Sequence, residues 1–219
     1  MTRRPTVLIS AGPTREYIDD VRFLSNASSG RMGRAVAVAA LEQGCQVHLA
    51  LGPVAPLDVP DGIEIHGFTS ARDLDDIARN LWPDVDAFVA TAAVADYRPA
   101  ARIPGKRKKG DGTWQLELVR NPDVLSNRGA EKGARTLVGF ALEADPTHAE
   151  ARRKLVQKGL DLIILNSTAN LGSTGGDFDW IEAAPRAEET GNAVPLRGVT
   201  KQQLATRIVD FLLTRYEPS

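Results

Sequence analysis

Ser25-Asn26-Ala27-Ser28-Ser29-Gly30-Arg31-Met32-Gly33 sets hydroxyls, an amide and two glycines immediately ahead of a helical pattern. At a helix N-terminus the unpaired N–H groups and the macrodipole favour an anion. Ser28, Ser29 and Gly30, with Gly12 in the turn after the first apolar run, therefore outline a phosphate site. The same residues also fit an ordinary serine cap whose glycines let a helix approach a sheet closely.

A second stretch, Ala90-Thr91-Ala92-Ala93-Val94-Ala95-Asp96-Tyr97-Arg98-Pro99, closes a continuous apolar run. Open α/β sheets bind ligands at such C-terminal strand ends, so Asp96 and Arg98 are positioned to meet one, and the small residues let a flat base approach the backbone. The alternative is a loop-capping Asp96 and a solvated Arg98. Third, Gly105-Lys106-Arg107-Lys108-Lys109-Gly110 brackets four cations with glycines, and from Asp96 to Lys109 six basic residues face one acidic residue. Charge runs are often only solvated loops. Beside a phosphate site this one reads better as a flap, about residues 97–112, that closes on a triphosphate. Fourth come Asn121-Pro122-Asp123-Val124-Leu125, Phe140, and the pair Lys154 and Lys158, four apart on one face of an expected helix.

Other chemistries find little support. His48, His66 and His148 have no ligand-like spacing, and Cys45, the single cysteine, precedes a strand as a small buried hydrophobe would. No Ser-His-Asp arrangement is apparent. A Walker A loop needs a lysine before its serine or threonine and none is there; a dinucleotide fingerprint wants its glycines close, whereas 17 residues separate Gly12 from Gly30. With 27 basic and 28 acidic residues, the net charge of -1 argues against a nucleic-acid binder. The short N-terminal apolar run and the lack of a membrane-length stretch predict a soluble cytoplasmic protein without a membrane role.

The elements that must position these residues read as a single α/β domain over residues 1–219. The fold class expected is a doubly wound, mostly parallel, Rossmann-like sheet with helices on both faces and a basic flap loop. Strands are predicted at Thr6–Ser10, Gln46–Leu51, Ile63–Phe68, Ala87–Ala92, Trp114–Val119, Thr136–Ala141 and Leu162–Leu165. Helices are predicted from Gly30 to Gln43 with Gly44 as terminator, from Ala71 to Leu81 with Ser70 as cap, after Asp145-Pro146, and from a Thr200–Gln203 capping box to about Arg215. Tyr97 to Gly112 reads as a long mobile loop, and Ser167 to Gly176 as a polar, glycine-rich one.

Taken in order, several segments resemble the phosphopantothenoylcysteine synthetases: Ile9–Glu16, Val21–Asn26 with Ser28-Ser29-Gly30, Ala92–Pro99, Lys106–Lys109, Asn121–Asp123, Val138–Phe140 and Lys154–Asn166. The resemblance implies a ligase in which the carboxylate of 4′-phosphopantothenate attacks the α-phosphorus of a nucleoside triphosphate and L-cysteine then displaces the nucleotide. The Lys-x-Lys-Lys loop and the Ala92–Pro99 run look like the bacterial branch, which implies CTP with Mg2+; the metal ligands stay unassigned. By position, Asn26 matches the asparagine that holds the acyl-nucleotide, Arg22 a substrate-site arginine and Lys106 the activating flap lysine. Gly12, Ser28, Ser29, Gly30, Ala90, Thr91, Ala92, Asp96, Pro122, Asp123, Val124, Leu125, Phe140, Lys154 and Lys158 match the nucleotide-binding surface. The resemblance also implies a homodimer and a decarboxylase partner, either a separate protein or one from which this domain was excised. Asp20 stands where the family usually has proline, and the tail after about Ser173 matches least. The competing readings are an NAD(P)- or flavin-dependent oxidoreductase, for which Leu49-Ala50-Leu51-Gly52 lacks the ribose-binding acid, and a non-enzymatic nucleotide-binding module.

Overall fold

A computed structural model describes residues 3–143, 148–167, 170, 173–183 and 193–216. Its strands are β1 (Thr6–Ala11), β2 (Arg15–Tyr17), β3 (Phe23–Ser25), β4 (Gln46–Leu51), β5 (Ile63–Gly67), β6 (Ala87–Ala90), β7 (Tyr97–Pro99), β8 (Leu118–Arg120), β9 (Thr136–Glu143), β10 (Leu162–Ser167), β11 (Gly175–Glu182) and β12 (Ala193–Thr200). Its α-helices are α1 (Arg31–Glu42), α2 (Ala71–Leu81), α3 (Val124–Ala130), α4 (His148–Gln157) and α5 (Lys201–Arg215).

One 8-stranded sheet runs in the order β12-β11-β10-β9-β6-β1-β4-β5. From β10 to β5 every pairing is parallel, while β11 and β12 add an antiparallel edge. Numbered along the chain, the parallel strands follow the doubly wound order in which connections reverse between β1 and β6, and the crevice at that reversal is where such sheets bind ligands. The expected fold class is borne out.

The central strands are apolar throughout because both faces are covered. Val7, Ile9 and Val89 pack with Ala35, Val36, Leu204 and Ile208 under α1 and α5, whereas Leu8, Phe88, Leu137 and Ile163 pack with Leu74, Val124 and Leu155 under α2, α3 and α4. Local signals set the helix ends. Ser70 Oγ accepts from the Asp73 amide at 3.2 Å and Asp73 Oδ2 accepts from the Ser70 amide at 2.8 Å; Thr200 and Gln203 repeat this reciprocal cap at α5. Each cap stabilises by about 1 kcal/mol. Gly44, at φ +77°, stops α1.

Several expectations need correction. The chain between β1 and α1 is a β2–β3 hairpin, and α3 lies where no element was predicted. Tyr97–Gly112 is not loop throughout, because β7 pairs with β8 and Ile103 bridges Asp19. Trp114 stays outside β8, its ring lying between two guanidiniums, Arg107 at 4.2 Å and Arg22 at 5.3 Å. Gly175 and Gly176 open β11 rather than ending a loop. Asp145 and Pro146, the expected start of α4, lie outside the described residues.

Candidate functional site

The turn between β1 and α1 reunites glycines that the sequence separates. A Cβ added to Gly30 would lie 3.5 Å from the Gly12 amide nitrogen, so the two glycines are neighbours and the hairpin is looped out between them. Both have positive φ, +82° and +71°. Gly33, one turn on, lets α1 press on β1 and β6: its Cβ would fall 2.4 Å from Ala11 Cβ and 2.7 Å from Thr91 Oγ1. Gly30, not a serine, is the N-cap of α1, and Ser28 Oγ accepts from its amide at 3.5 Å, so no serine holds the cap position while the close glycine packing is present. The first turn of α1 carries no acid, and the Lys201 ammonium is pushed down by burial and then by the Arg31 charge, so cations gather near this N-terminus.

On the opposite face of the same strand ends is a cavity of about 530 Å³, well within the range of small-ligand sites. Ser10, Phe88, Ala90 and Phe140 form its floor; the segment Ala92–Tyr97, the N-terminal turn of α3 and Lys158 form its walls. Lys158 Nζ pairs with Asp123 at 2.8 Å, and Asp123 also caps α3 by accepting from the Ser126 amide at 3.0 Å.

The hairpin and the basic segment are joined by a carboxylate pair. Asp19, fully buried, accepts from the amides of Val21 (2.9 Å), Arg22 (2.8 Å) and Arg107 (3.2 Å) and from the Arg22 guanidinium. The Arg22 guanidinium, reinforced by those amides against burial, holds the Asp19 carboxyl well below the usual carboxylate range. Asp20 accepts from the Gly105 amide and from Arg102, both at 2.8 Å, and donates its own amide to the Gly105 carbonyl at 3.0 Å. The flap is thus tied down as far as Arg107. Lys106, Lys108 and Lys109 project from it, exposed and without an ion-pair partner among the described residues.

The sequence pattern of the family described as "DNA/pantothenate metabolism flavoprotein C-terminal domain" matches residues 2–216. The chain belongs to this family. It is similar to the coenzyme A biosynthesis bifunctional protein CoaBC of Bacillus subtilis (44% identity over 177 residues, 80% of this chain and 43% of that one). A second relative, the CoaBC protein of Mycobacterium bovis, is 38% identical over 95% of this chain and 52% of its own. The chain therefore spans about half the length of these relatives or less. Among solved structures, a crystal structure of the C-terminal domain of a CoaBC protein superposes with a TM-score of 0.81 at 32% identity, covering 97% of this chain and 96% of that one. The resemblance drawn from the motifs holds at the level of the family.

In this family member the residues singled out from the sequence fall into three groups. Ala90, Ala92, Asp96, Pro122, Asp123, Val124, Leu125, Phe140 and Lys158 line the cavity together. Gly12, Ser28, Ser29, Gly30 and Thr91 belong to the turn at α1, where Thr91 Oγ1 donates to the Ser10 carbonyl at 2.7 Å. Asn26 lies between the two groups, its Nδ2 donating to the Ala93 and Val94 carbonyls at 3.4 and 3.1 Å. Arg22 and Lys106 belong to the flap junction.

Two expected placements differ. Lys154 and Lys158 do not both reach the site: the Lys158 amide closes the last turn of α4 on the Lys154 carbonyl at 3.0 Å, but Lys158 pairs with Asp123 at the cavity while Lys154 faces Glu150 at 3.7 Å outside its lining. Arg98 does not enter the cavity, because its guanidinium bonds the Arg120 carbonyl and Asn121 Oδ1 and lines a groove with Arg15, Arg72 and Arg102. Sequence reasoning missed Ser10 and Arg120, which both line the cavity; Arg120 lies in a weakly patterned stretch with no local signal. It also treated the histidines as unrelated. Parallel pairing of β4 with β5 brings His48 Nδ1 and His66 Nε2 to 3.1 Å, beside Glu64.

Proposed function

We propose that this chain is a phosphopantothenate–cysteine ligase of coenzyme A biosynthesis, joining 4′-phosphopantothenate to L-cysteine with CTP and Mg2+. The observation that carries this reading is the cavity at the β1–β6 reversal, whose lining unites Ala90, Ala92, Val94–Tyr97, Arg120–Leu125, Phe140 and Lys158 in a chain of this family. The small side chains of Ala90 and Ala92, with Phe140, suit a base and ribose. Arg120, Lys158 and the flap lysines suit the phosphates.

In the first step the substrate carboxylate attacks the α-phosphorus, pyrophosphate leaves, and an acyl-cytidylate forms. Lys106 supplies positive charge where negative charge builds up on the phosphoryl oxygens. In the second step the cysteine amine attacks the acyl carbon, CMP leaves, and the amide forms. An Asn26 amide nitrogen carries two N–H bonds, so one can stay on the Val94 carbonyl while the other meets the acyl oxygen. Asp96 offers the cavity a carboxylate with no partner among the described residues, which suits Mg2+, an ion that binds through one or two carboxylates plus phosphates and water. Bound there, Mg2+ would neutralise phosphate charge. The same reading carries a homodimer and a decarboxylase partner, joined or separate.

The test is pyrophosphate release with phosphopantothenate and either CTP or ATP, in the parent and in Lys106→Gln. CTP-selective release that falls at least about tenfold in the variant, with unchanged thermal stability, is expected because Lys106 is exposed. Equal use of both nucleotides rejects CTP selectivity, and parent-like release by Lys106→Gln rejects the role of the flap.

A further inference from the structure

At the open edge of the sheet, away from the cavity, three donor groups converge. His48 on β4 lies directly opposite Glu64 on β5, and His66, two residues on, returns to the same face. His48 Nδ1 is 3.1 Å from His66 Nε2 and 3.3 Å from Glu64 Oε2, and His66 Nε2 is 3.5 Å from Glu64 Oε1. A tetrahedral cation with ligand bonds of about 2.0 Å has ligand–ligand edges of about 3.3 Å. The His48–His66 and His48–Glu64 Oε2 spacings match that edge length, and one donor atom from each of the three residues lies within 4.8 Å of the other two.

We propose that His48, Glu64 and His66 bind a divalent transition-metal cation of the zinc class, which clamps the edge strand β5 onto β4. Two imidazoles and one carboxylate suit Zn2+, Cu2+, Ni2+ or Co2+, whereas Mg2+ and Ca2+ want oxygen ligands. Three protein ligands leave the fourth position to water, and Glu64, 62% exposed, opens the site to solvent. None of the three residues lines the cavity, so the cation acts on the strand edge and not on the ligation chemistry. An edge strand held only by one neighbour is a weak point of any sheet, and a ligand that binds only the folded chain raises its stability.

The experiment uses the whole chain, stripped with EDTA and titrated with ZnCl2 alone by calorimetry, and with CoCl2 followed by visible absorption. One Zn2+ per chain, a tetrahedral Co2+ spectrum and a melting temperature raised by about 5 °C or more at a hundredfold excess over Kd are expected. His66→Ala and Glu64→Gln, both at solvent-accessible positions, should weaken Zn2+ binding at least about tenfold. His148→Ala, on α4, should not. In the unmodified chain, Zn2+ should shift the imidazole NMR signals of His48 and His66 and leave His148 in place. Absence of saturable Zn2+ binding, or binding undiminished in both His66→Ala and Glu64→Gln, overturns the proposal and leaves a hydrogen-bonded triad.

Discussion

Replacing Gly33 by alanine tests whether close approach of α1 to the sheet builds the anion-binding turn. In an unhindered helix this change should help, by about 1 kcal/mol, because glycine loses more backbone freedom than alanine. Here the added Cβ would meet Ala11 Cβ at 2.4 Å, Thr91 Oγ1 at 2.7 Å and Ala11 Cα at 3.1 Å, against a comfortable carbon–carbon separation of about 3.5–4.0 Å. The neighbours cannot yield cheaply, since Ala11 belongs to a central strand buried on both faces. The helix must therefore lift by about 1 Å, and overpacking of that kind costs roughly 1–3 kcal/mol or more. Overpacking at the upper end of that range wins, as a 2.4 Å contact demands, leaving a net loss of about 2 kcal/mol and a melting temperature lower by roughly 4–8 °C for a chain of this size. Lifting α1 also draws Gly30 away from Gly12, so CTP affinity should fall with stability. Gly67→Ala, at the end of β5 where no atom lies within 4 Å of the new Cβ, is the control and should be neutral to stabilising by up to about 1 kcal/mol. Thermal melts and CTP titrations of both variants decide the matter: a Gly33→Ala protein as stable as the parent, with unchanged CTP affinity, refutes the packing argument.

Asn26→Ala should still release pyrophosphate from CTP but slow the cysteine-dependent step by about a hundredfold; Asn26→Asp should be at least as damaging, since it sets a carboxylate against the Ala93 and Val94 carbonyls. Quench-flow detection of the acyl-cytidylate checks this, and normal consumption by cysteine sinks the role given to Asn26. Asp20→Ala removes the acceptor for Gly105 and Arg102. For an exposed carboxylate that is worth about 1 kcal/mol, so trypsin should cut at Lys106–Lys109 about fivefold faster; an unchanged cleavage rate would mean Asp20 does not hold the flap. Asp19 has a depressed pKa, so its contribution is complete above the ordinary aspartate range and fades as pH falls below about 4. Flap protection against proteolysis should accordingly stay flat from about pH 8 to 5 and fail only below that window. Loss between pH 7 and 5 would contradict the assignment.

Legibility from the sequence followed the range of the interactions. α2 and α5 were readable because Ser70 with Asp73, and Thr200 with Gln203, signal a helix start within four residues, and the apolar spacing that follows implies a buried face. The strands around Val7, Val47 and Phe88 were readable because burial on both faces leaves an unbroken apolar run. β2, β3, β7, β8 and α3 were not, because three to seven residues give too little periodicity to separate element from loop. Trp114–Val119 alternates as a strand would, yet its partner β7 offers only Tyr97–Pro99, so the ladder covers Leu118–Arg120 and leaves Trp114 outside.

By itself the sequence determined the fold class, most helix ends, and the residue types of the site: the glycines and serines ahead of α1, the small residues after β6, the flap lysines. Only the tertiary structure decided which of them meet. Gly12 and Gly30 become neighbours because a hairpin loops out between them, and Arg22 meets the Arg107 carbonyl because the flap docks there. Lys158 reaches the cavity while Lys154 does not, because Asp123 at the start of α3 draws the one and Glu150, a turn back on α4, the other. His48 and His66 converge through a strand register that no local pattern encodes. Caps and periodicity act over a few residues, whereas these contacts depend on backbone register and loop docking across dozens of residues, which exist only once the chain has folded.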